Sequence, residues 1–198
     1  MANASILTDE KTDHLGGPLV AIFTGLKSVA ADYCLTLPTD MPLVKPKVFE
    51  LMFEKAMDSR VVVPMWPNGR LETLTMVLEK ASALEIADTL CQLGRPRSDD
   101  LIRGALNVIF ISVVREISAI DPELESFVNI NFPQDLSRLQ PRRVQGVITE
   151  SQHINKGTLP VCELNRLRDA VTLYRKNKFF EAAKVFSSCA LRLETEKS

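Results

Sequence analysis

Histidine is scarce in this chain. Its two histidines, His14 and His153, sit in polar stretches with no recognisable nucleophile motif beside them. A Ser/His/Asp or Cys/His hydrolase therefore has no support. Four cysteines, Cys34, Cys91, Cys162 and Cys189, are far apart and form no CxxC pair. That pattern excludes the usual structural zinc sites and any disulfide framework, and a reducing cytoplasm is the expected compartment. Long apolar runs are also missing. The most apolar one, Ala105 to Val114, is about half the ~20 residues a membrane helix needs. The opening Met-Ala-Asn-Ala-Ser carries no basic n-region, so neither a signal peptide nor a membrane is expected. Charge of one sign is lacking as well: a formal net charge of -1 offers no basic face to nucleic acid.

What the sequence does hold is ordinary for a globular α/β protein. Of 198 residues, 45% are hydrophobic and 25% charged, enough for one α/β domain with a small appendage. Gly16-Gly17-Pro18 opens a helix whose Leu19, Ile22, Phe23 and Leu26 share one face; proline suits the first helical position because its missing N–H costs nothing there. Tyr33 to Leu37 reads as a buried strand that delivers Asp40 at its C-terminal end. Val48, Leu51, Met52 and Met57 mark a helix, and Arg60 to Met65 a strand of the continuous apolar kind found inside covered sheets. Trp66-Pro67-Asn68-Gly69 is a turn, and Leu71, Thr73, Thr75 and Val77 predict a further strand. Ala81 to Leu93 predicts a helix closed by Gly94, with Ser98 as the N-cap of a short helix after it. Asn107 to Val114 and Phe127 to Asn131 predict strands, and Pro133 to Leu139 a helix start. Strands alternating with helices imply a parallel α/β sheet.

This domain is expected over residues 1–140, followed by a polar linker over 141–157 and a helical hairpin over 158–198. In the hairpin, Ala170, Tyr174, Phe179, Ala182, Ala183, Phe186 and Leu191 fall at the spacing of a tetratricopeptide-like pair. One pair is no array, so it is expected to pack on the α/β domain or at a dimer contact, or to bind a partner.

Three segments carry a family resemblance. They are Asp9 through Gly17-Pro18-Leu19 to Thr24-Gly25-Leu26, then Leu35-Thr36-Leu37-Pro38-Thr39-Asp40-Met41-Pro42, then Phe127-Val128-Asn129-Ile130-Asn131-Phe132-Pro133-Gln134-Asp135-Leu136. In this order and at these separations they resemble the molybdenum cofactor guanylyltransferase family. The resemblance implies a Rossmann-like, mostly parallel sheet flanked by helices. It also implies transfer of GMP from GTP to a molybdopterin-type acceptor, with Mg2+ balancing the charge on the departing pyrophosphate. By the same resemblance Asp40 is the magnesium ligand, and Asp9, Gly16, Gly17 and Leu19 belong to the nucleotide site. Asn129 and Asn131, two apart on the expected strand, lie near the metal and the acceptor. From the residues alone, Asp40 reads equally as a turn or N-cap aspartate before Pro42, Asp9 as a solvated loop acid, and the two glycines as a helix entry. Ala21 stands where the family commonly has a second glycine.

The family's glycine-rich segment, which cradles the triphosphate with backbone N–H groups, has no counterpart in this sequence. Three expectations follow: an upstream start, a completing partner chain or second copy, or remaining strands that close up into a degenerate domain. The alternatives to guanylyl transfer are a non-catalytic remnant serving as an assembly or interaction protein and a sister nucleotidyltransferase with another acceptor.

Overall fold

A computed structural model describes residues 4–9, 16–132, 145–155 and 161–195. Its centre is a mixed five-stranded sheet in the order β1-β3-β2-β4-β5. The strands are β1 (Tyr33–Thr36), β2 (Val61–Met65), β3 (Met76–Glu79), β4 (Asn107–Ser112) and β5 (Gln152–Asn155). β2 and β4 pair in parallel, Val61 opposite Val108 through Met65 opposite Ser112. β3 runs against both β1 and β2, and β5 against β4. So β1, β2 and β4 share one direction, and their C-terminal ends lie along one edge of the sheet.

Period-two alternation sorts the strand residues into two cores, one on each face. Val61, Val63, Met76, Leu78 and Val108 point to one face, where they meet Leu19, Phe23 and Leu26 of α1 (Pro18–Ser28), Ile86 of α3 (Lys80–Gln92) and Leu101 of α4 (Ser98–Gly104). Val62, Val77 and Ile111 point to the other, against Val48 and Met52 of α2 (Pro46–Ala56), with Ile117, Leu124 and Phe127. All five residues of β2 are buried, as its unbroken apolar run predicts. The result is the expected helix–sheet–helix layering.

The entry to α1 follows from its sequence. Pro18 holds the first helical position, and Gly17 takes φ 115, a conformation that L side chains rarely adopt. A Cβ at Gly17 would stand 3.2 Å from the Pro96 carbonyl oxygen, so glycine is required there by close packing. Gly94 ends α3 in the left-handed region, φ 72, as its place after the helix predicts.

Several local expectations are corrected. Leu71 to Thr75 is not strand: Leu71 makes one isolated bridge to Met65, and β3 begins at Met76. The reason is the tight turn before it. Trp66 N donates to Arg70 O at 2.8 Å and Glu72 N to Pro64 O at 3.0 Å, which uses these residues to fold the chain back. Ser98 is the first residue of α4 rather than its cap, and its hydroxyl donates to Thr73 Oγ1 at 3.2 Å. β4 stops at Ser112, whose Oγ accepts from Arg115 N and starts a π-helical turn, Val113–Ile117, that runs on into α5 (Ser118–Ile120). Phe127 to Asn131 forms no strand; Phe127 closes a 3-10 turn, Glu125–Phe127, and the next residues cross to the end of β1. Within the expected linker, Gln152–Asn155 is β5, the edge strand of the sheet. The helix expected at Pro133 to Leu139 lies outside the described residues.

The hairpin is present as α6 (Val161–Arg175) and α7 (Phe179–Thr195). Asn177 turns it with φ 59, a left-handed conformation that asparagine tolerates better than most residues. α6 also contacts α3, so the hairpin rests on the α/β unit. Cys34 and Cys91 are buried free thiols, and burial raises both above the ordinary thiol range. No helix among the described residues is long and apolar enough to cross a membrane.

Candidate functional site

β1 ends at Thr36, whose hydroxyl accepts from Met76 N at 3.1 Å. The chain then leaves the sheet through Pro38 and turns at Thr39 and Asp40. Met41 anchors the turn from below, 4% exposed in the core under α2. Asp40 is thereby raised over the C-terminal edge of the sheet, where open α/β sheets take their ligands.

A second segment reaches the same point. Ile130 N donates to Asp40 O at 2.7 Å, and Asn129 Nδ2 donates to Asp40 Oδ2 at a long 3.4 Å. The other carboxylate oxygen, Asp40 Oδ1, is buried and has no hydrogen-bond partner. No backbone N–H bonds the Asp40 carboxylate among the described residues, and the N-cap of α2 is Lys45. The side chain therefore does none of the work of a capping or turn aspartate.

The segment carrying Asn129 is pinned by a buried carboxylate. Asp121, 0% exposed, accepts from Lys45 Nζ at 2.6 Å and from Ser126 N at 2.8 Å. Burial pushes the Asp121 carboxyl up, but the Lys45 ammonium and the Ser126 N–H outweigh it, and the net shift is below the ordinary carboxylate range. The Asp121 carboxylate in turn holds the Lys45 ammonium protonated above its ordinary range. Lys45 N donates to Ser126 Oγ at 3.1 Å, closing the loop onto the start of α2. Leu124 takes a left-handed φ of 53 inside this loop. Beyond it, Phe127 packs edge-on against the fully buried Trp66, ring centroids 5.4 Å apart. Asp121, Lys45, Ser126, Trp66 and Phe127 thus fix where Asn129 stands. The sequence names Trp66 as part of a turn and Phe127 as the start of a strand, but it singles out none of the five for this role.

The structure brings Asp40 and Asn129 together. Asn131 follows two residues on and is exposed. Gly16, Gly17 and Leu19 lie at the N-terminus of α1. Leu19 bonds to Pro96, and Ser98 beside it to Thr73, just before the Met76 that pairs with Thr36 at the end of β1, so that terminus stands toward the edge of the sheet that carries Asp40. Leu19 is 0% exposed and its N–H donates to Pro96 O at 3.2 Å; both its side chain and its donor are used by the fold. Ala21 is exposed on the first turn of the helix. Asp9 is exposed, and no described hydrogen bond or ion pair joins it to Asp40 or Asn129.

The donor set suits a hard cation. One carboxylate with a free oxygen matches magnesium, which takes one or two carboxylates and completes its shell with phosphate and water. No cluster of three or more His, Cys, Asp or Glu side chains able to cage a metal occurs among the described residues.

A layered α/β sheet with an unsatisfied carboxylate oxygen and an amide at its C-terminal edge has the arrangement of an open α/β protein that takes its ligand at that edge, with the carboxylate suited to a cation. The comparisons with known proteins name the family. Residues 1–106 match the MobA-like NTP transferase domain, and the chain belongs to that family. It is 33% identical over 123 residues to a probable molybdenum cofactor guanylyltransferase of Methanosarcina mazei, covering 62% of this chain and 54% of the relative. It is 32% identical over 135 residues to one from Halalkalibacterium halodurans, covering 67% and 65%. The crystal structure of molybdopterin-guanine dinucleotide biosynthesis protein A from Archaeoglobus fulgidus superposes with a TM-score of 0.53 at 25% identity, over 63% of this chain and 61% of that one. The chain spans about half the length of the first of these curated relatives.

Proposed function

We propose that this chain serves a nucleotidyl transfer in which GMP passes from GTP to a molybdopterin-type acceptor in the cytoplasm. The observation that carries the reading is the buried, unpartnered Oδ1 of Asp40 beside Asn129. A buried carboxylate oxygen without a partner is costly in a folded chain. The cost has a reason if the oxygen is reserved for Mg2+, and Asp40 would hold that ion at the sheet edge. When bound, the ion would neutralise charge on the triphosphate and the departing pyrophosphate.

The remaining roles belong to the chain itself. Asn129 holds Oδ2, so that Oδ1 is the oxygen left for the cation. The Asp121–Lys45–Ser126 lock keeps Asn129 in place, which leaves the site little to reorganise when charge builds. To Asn131, two residues further along the same segment, we assign a role toward the acceptor. To Asp9, Gly16 and Gly17 we assign the nucleotide side; Gly16 is open enough for a close backbone approach, since nothing lies within 4 Å of a Cβ built there. The glycine-rich strand and loop of the family we place at the outer edge of β1. That edge pairs with no other strand among the described residues, and a second copy or a completing partner chain is one source for it.

The test is calorimetric titration of GTP into the 198-residue chain with and without magnesium, beside Asp40→Ala. Magnesium-dependent binding that disappears in the variant is the expected result. A folded wild-type chain that binds no GTP would sink the reading for this chain, leaving an assembly role in its place.

A further inference from the structure

The turn that follows β2 carries an arginine that the site above does not use. β2 ends at Met65. Because β1 and β2 share one direction, the turn lies on the edge of the sheet that carries Asp40. Gly69 N donates to Trp66 O at 2.8 Å, and Arg70 N donates to Asn68 Oδ1 at 3.1 Å. Ile148 N donates to Pro67 O at 3.0 Å and pins the turn from its other side. The chain is thus folded back on Trp66, and the Arg70 guanidinium carbon stands 5.6 Å from the centre of that ring system.

One carboxylate sets the side chain. Glu72 Oε1 accepts from Trp66 Nε1 at 2.5 Å and also from Arg70 Nη2. The Glu72 side chain is 17% exposed and that of Arg70 47%, so the guanidinium is held on one side and open to solvent on the other. It has five N–H donors in a rigid fork. Glu72 takes one, and no other hydrogen bond to the guanidinium occurs among the described residues. Whichever proton of Nη2 is used, one pair of parallel N–H groups stays free, and such a pair matches two oxygens of a phosphate. Fixing a long side chain in the free protein also removes its ordering cost from binding.

Two routes of contact join this arginine to the Asp40 site. Trp66 packs on Phe127, two residues before Asn129. Glu72 O accepts from Thr75 N at 2.9 Å, and the Thr75 hydroxyl donates to the sulfur of Met41, next to Asp40, at 3.7 Å. Trp66, Phe127 and Met41 share the core under α2, whereas Leu19 of α1 lies in the opposite core. Arg70, laid over Trp66, therefore stands on the side of the segment that carries Asn129 and Asn131, away from the α1 terminus.

We propose that Arg70 binds the phosphate monoester of the acceptor, with Glu72 and Trp66 positioning it. The inference rests on the nucleotidyl-transfer reading. In that transfer an oxygen of the acceptor phosphate forms the new bond to the α-phosphorus of GTP. The bond from that phosphorus to the bridging oxygen of the β-phosphate breaks, and its electron pair leaves on pyrophosphate. Two anions must meet, so each needs its own cation. Asp40 is reserved for the cation of the triphosphate, and Lys45 is committed to Asp121 and Glu125. Arg70 has the free donors for the second anion, and it makes the site select an acceptor that carries a phosphate.

The experiment is calorimetric titration of the full chain with hydroxymethylpterin phosphate and with hydroxymethylpterin, the same molecule without its phosphate. The wild type should bind the ester roughly tenfold to a hundredfold more tightly than the alcohol, the worth of hydrogen bonds between charged groups. Arg70→Gln should bind the two alike. Arg70→Lys should keep part of the preference, since an ammonium retains the charge and loses the fork. Glu72→Gln should shrink the preference while leaving the alcohol unaffected, which a purely structural role would not do. Arg70 is exposed on a turn, so the urea midpoint of Arg70→Gln should match the wild type. GTP with magnesium, titrated separately, should bind Arg70→Gln as it binds the wild type. Equal affinity of the wild type for ester and alcohol, or binding of neither, overturns the proposal, as does a preference that survives in Arg70→Gln. Loss of GTP binding in Arg70→Gln assigns the arginine to the nucleotide's own phosphates and overturns it too. An Arg70-dependent preference in a chain that binds no GTP upholds the phosphate site and sinks the transfer reading alone, which tells the two failures apart.

Discussion

Removing the Asp40 side chain should make the metal-free protein more stable. Asp40 Oδ1 is buried without a partner, and a buried polar atom in that state costs about 1–3 kcal/mol. Against this, Asp40→Ala loses only the 3.4 Å contact from Asn129, whose side chain is exposed and regains water. The backbone bond from Ile130 N to Asp40 O, 2.7 Å, does not involve the side chain and survives. The balance favours the variant by about 1 kcal/mol, or roughly 2–4 °C in Tm for a chain of this size. The assay is thermal and urea unfolding in a chelator, then with magnesium and GTP together. Ligand should then raise the wild type by about 1.4 kcal/mol at tenfold excess over Kd and leave the variant unmoved. If Asp40→Ala instead loses about 1 kcal/mol or more in the chelator, and by the same amount with ligand, Asp40 is a turn residue and the argument fails.

Asp121→Asn should cost about 2 kcal/mol at neutral pH, the worth of hydrogen bonds to a buried charged group, and urea unfolding will read it. Because the folded carboxyl of Asp121 lies below its unfolded value, its contribution is complete above about pH 4 and fades as pH falls through the folded value. The wild type should therefore lose stability on acidification more steeply than Asp121→Asn, and parallel pH profiles would refute the lock. Asp100, 4% exposed and held below the ordinary range chiefly by its hydrogen bond from Arg95, gives the same sign in the same window, so Asp100→Asn should flatten the acid limb further. Gly17→Ala should destabilise by about 1–2 kcal/mol, the cost of a side chain at a strained positive φ. It should do so with GTP absent, since the contact it breaks is with Pro96; an effect seen only with nucleotide would place Gly17 in the ligand site alone.

The parts legible in the sequence are those fixed by short-range pattern. β2 is five consecutive buried residues and reads as such. α1 shows its own start in Gly17-Pro18, and α3 its own end in Gly94. Misreadings fell where a local preference met a competing contact. Leu71, Thr73 and Thr75 have strand-type side chains, but the turn at Trp66 to Arg70 consumes their backbone. The spacing of Asn129 and Asn131 suits a strand; in the structure the ion pair from Lys45 to the buried Asp121 and an aromatic contact hold the segment as a crossing loop. Gln152–Asn155 is exposed at all four positions, so it had no apolar alternation by which to announce itself as a strand.

By itself the sequence determined the layered α/β class, the placement of Asp40 after a strand, the helical hairpin and the resemblance to a nucleotidyltransferase family; the strand itself is an edge strand with only Cys34 buried. Each depends on residues within one element or one short motif, where side-chain period, proline and glycine act locally. Only the tertiary structure decided that β3 inserts antiparallel between β1 and β2, that β5 closes the far edge, and that Asn129 meets Asp40 across 89 positions of chain. Those outcomes depend on pairing and burial between distant segments, and on one carboxylate oxygen left without a partner, which no pattern of neighbouring residues encodes.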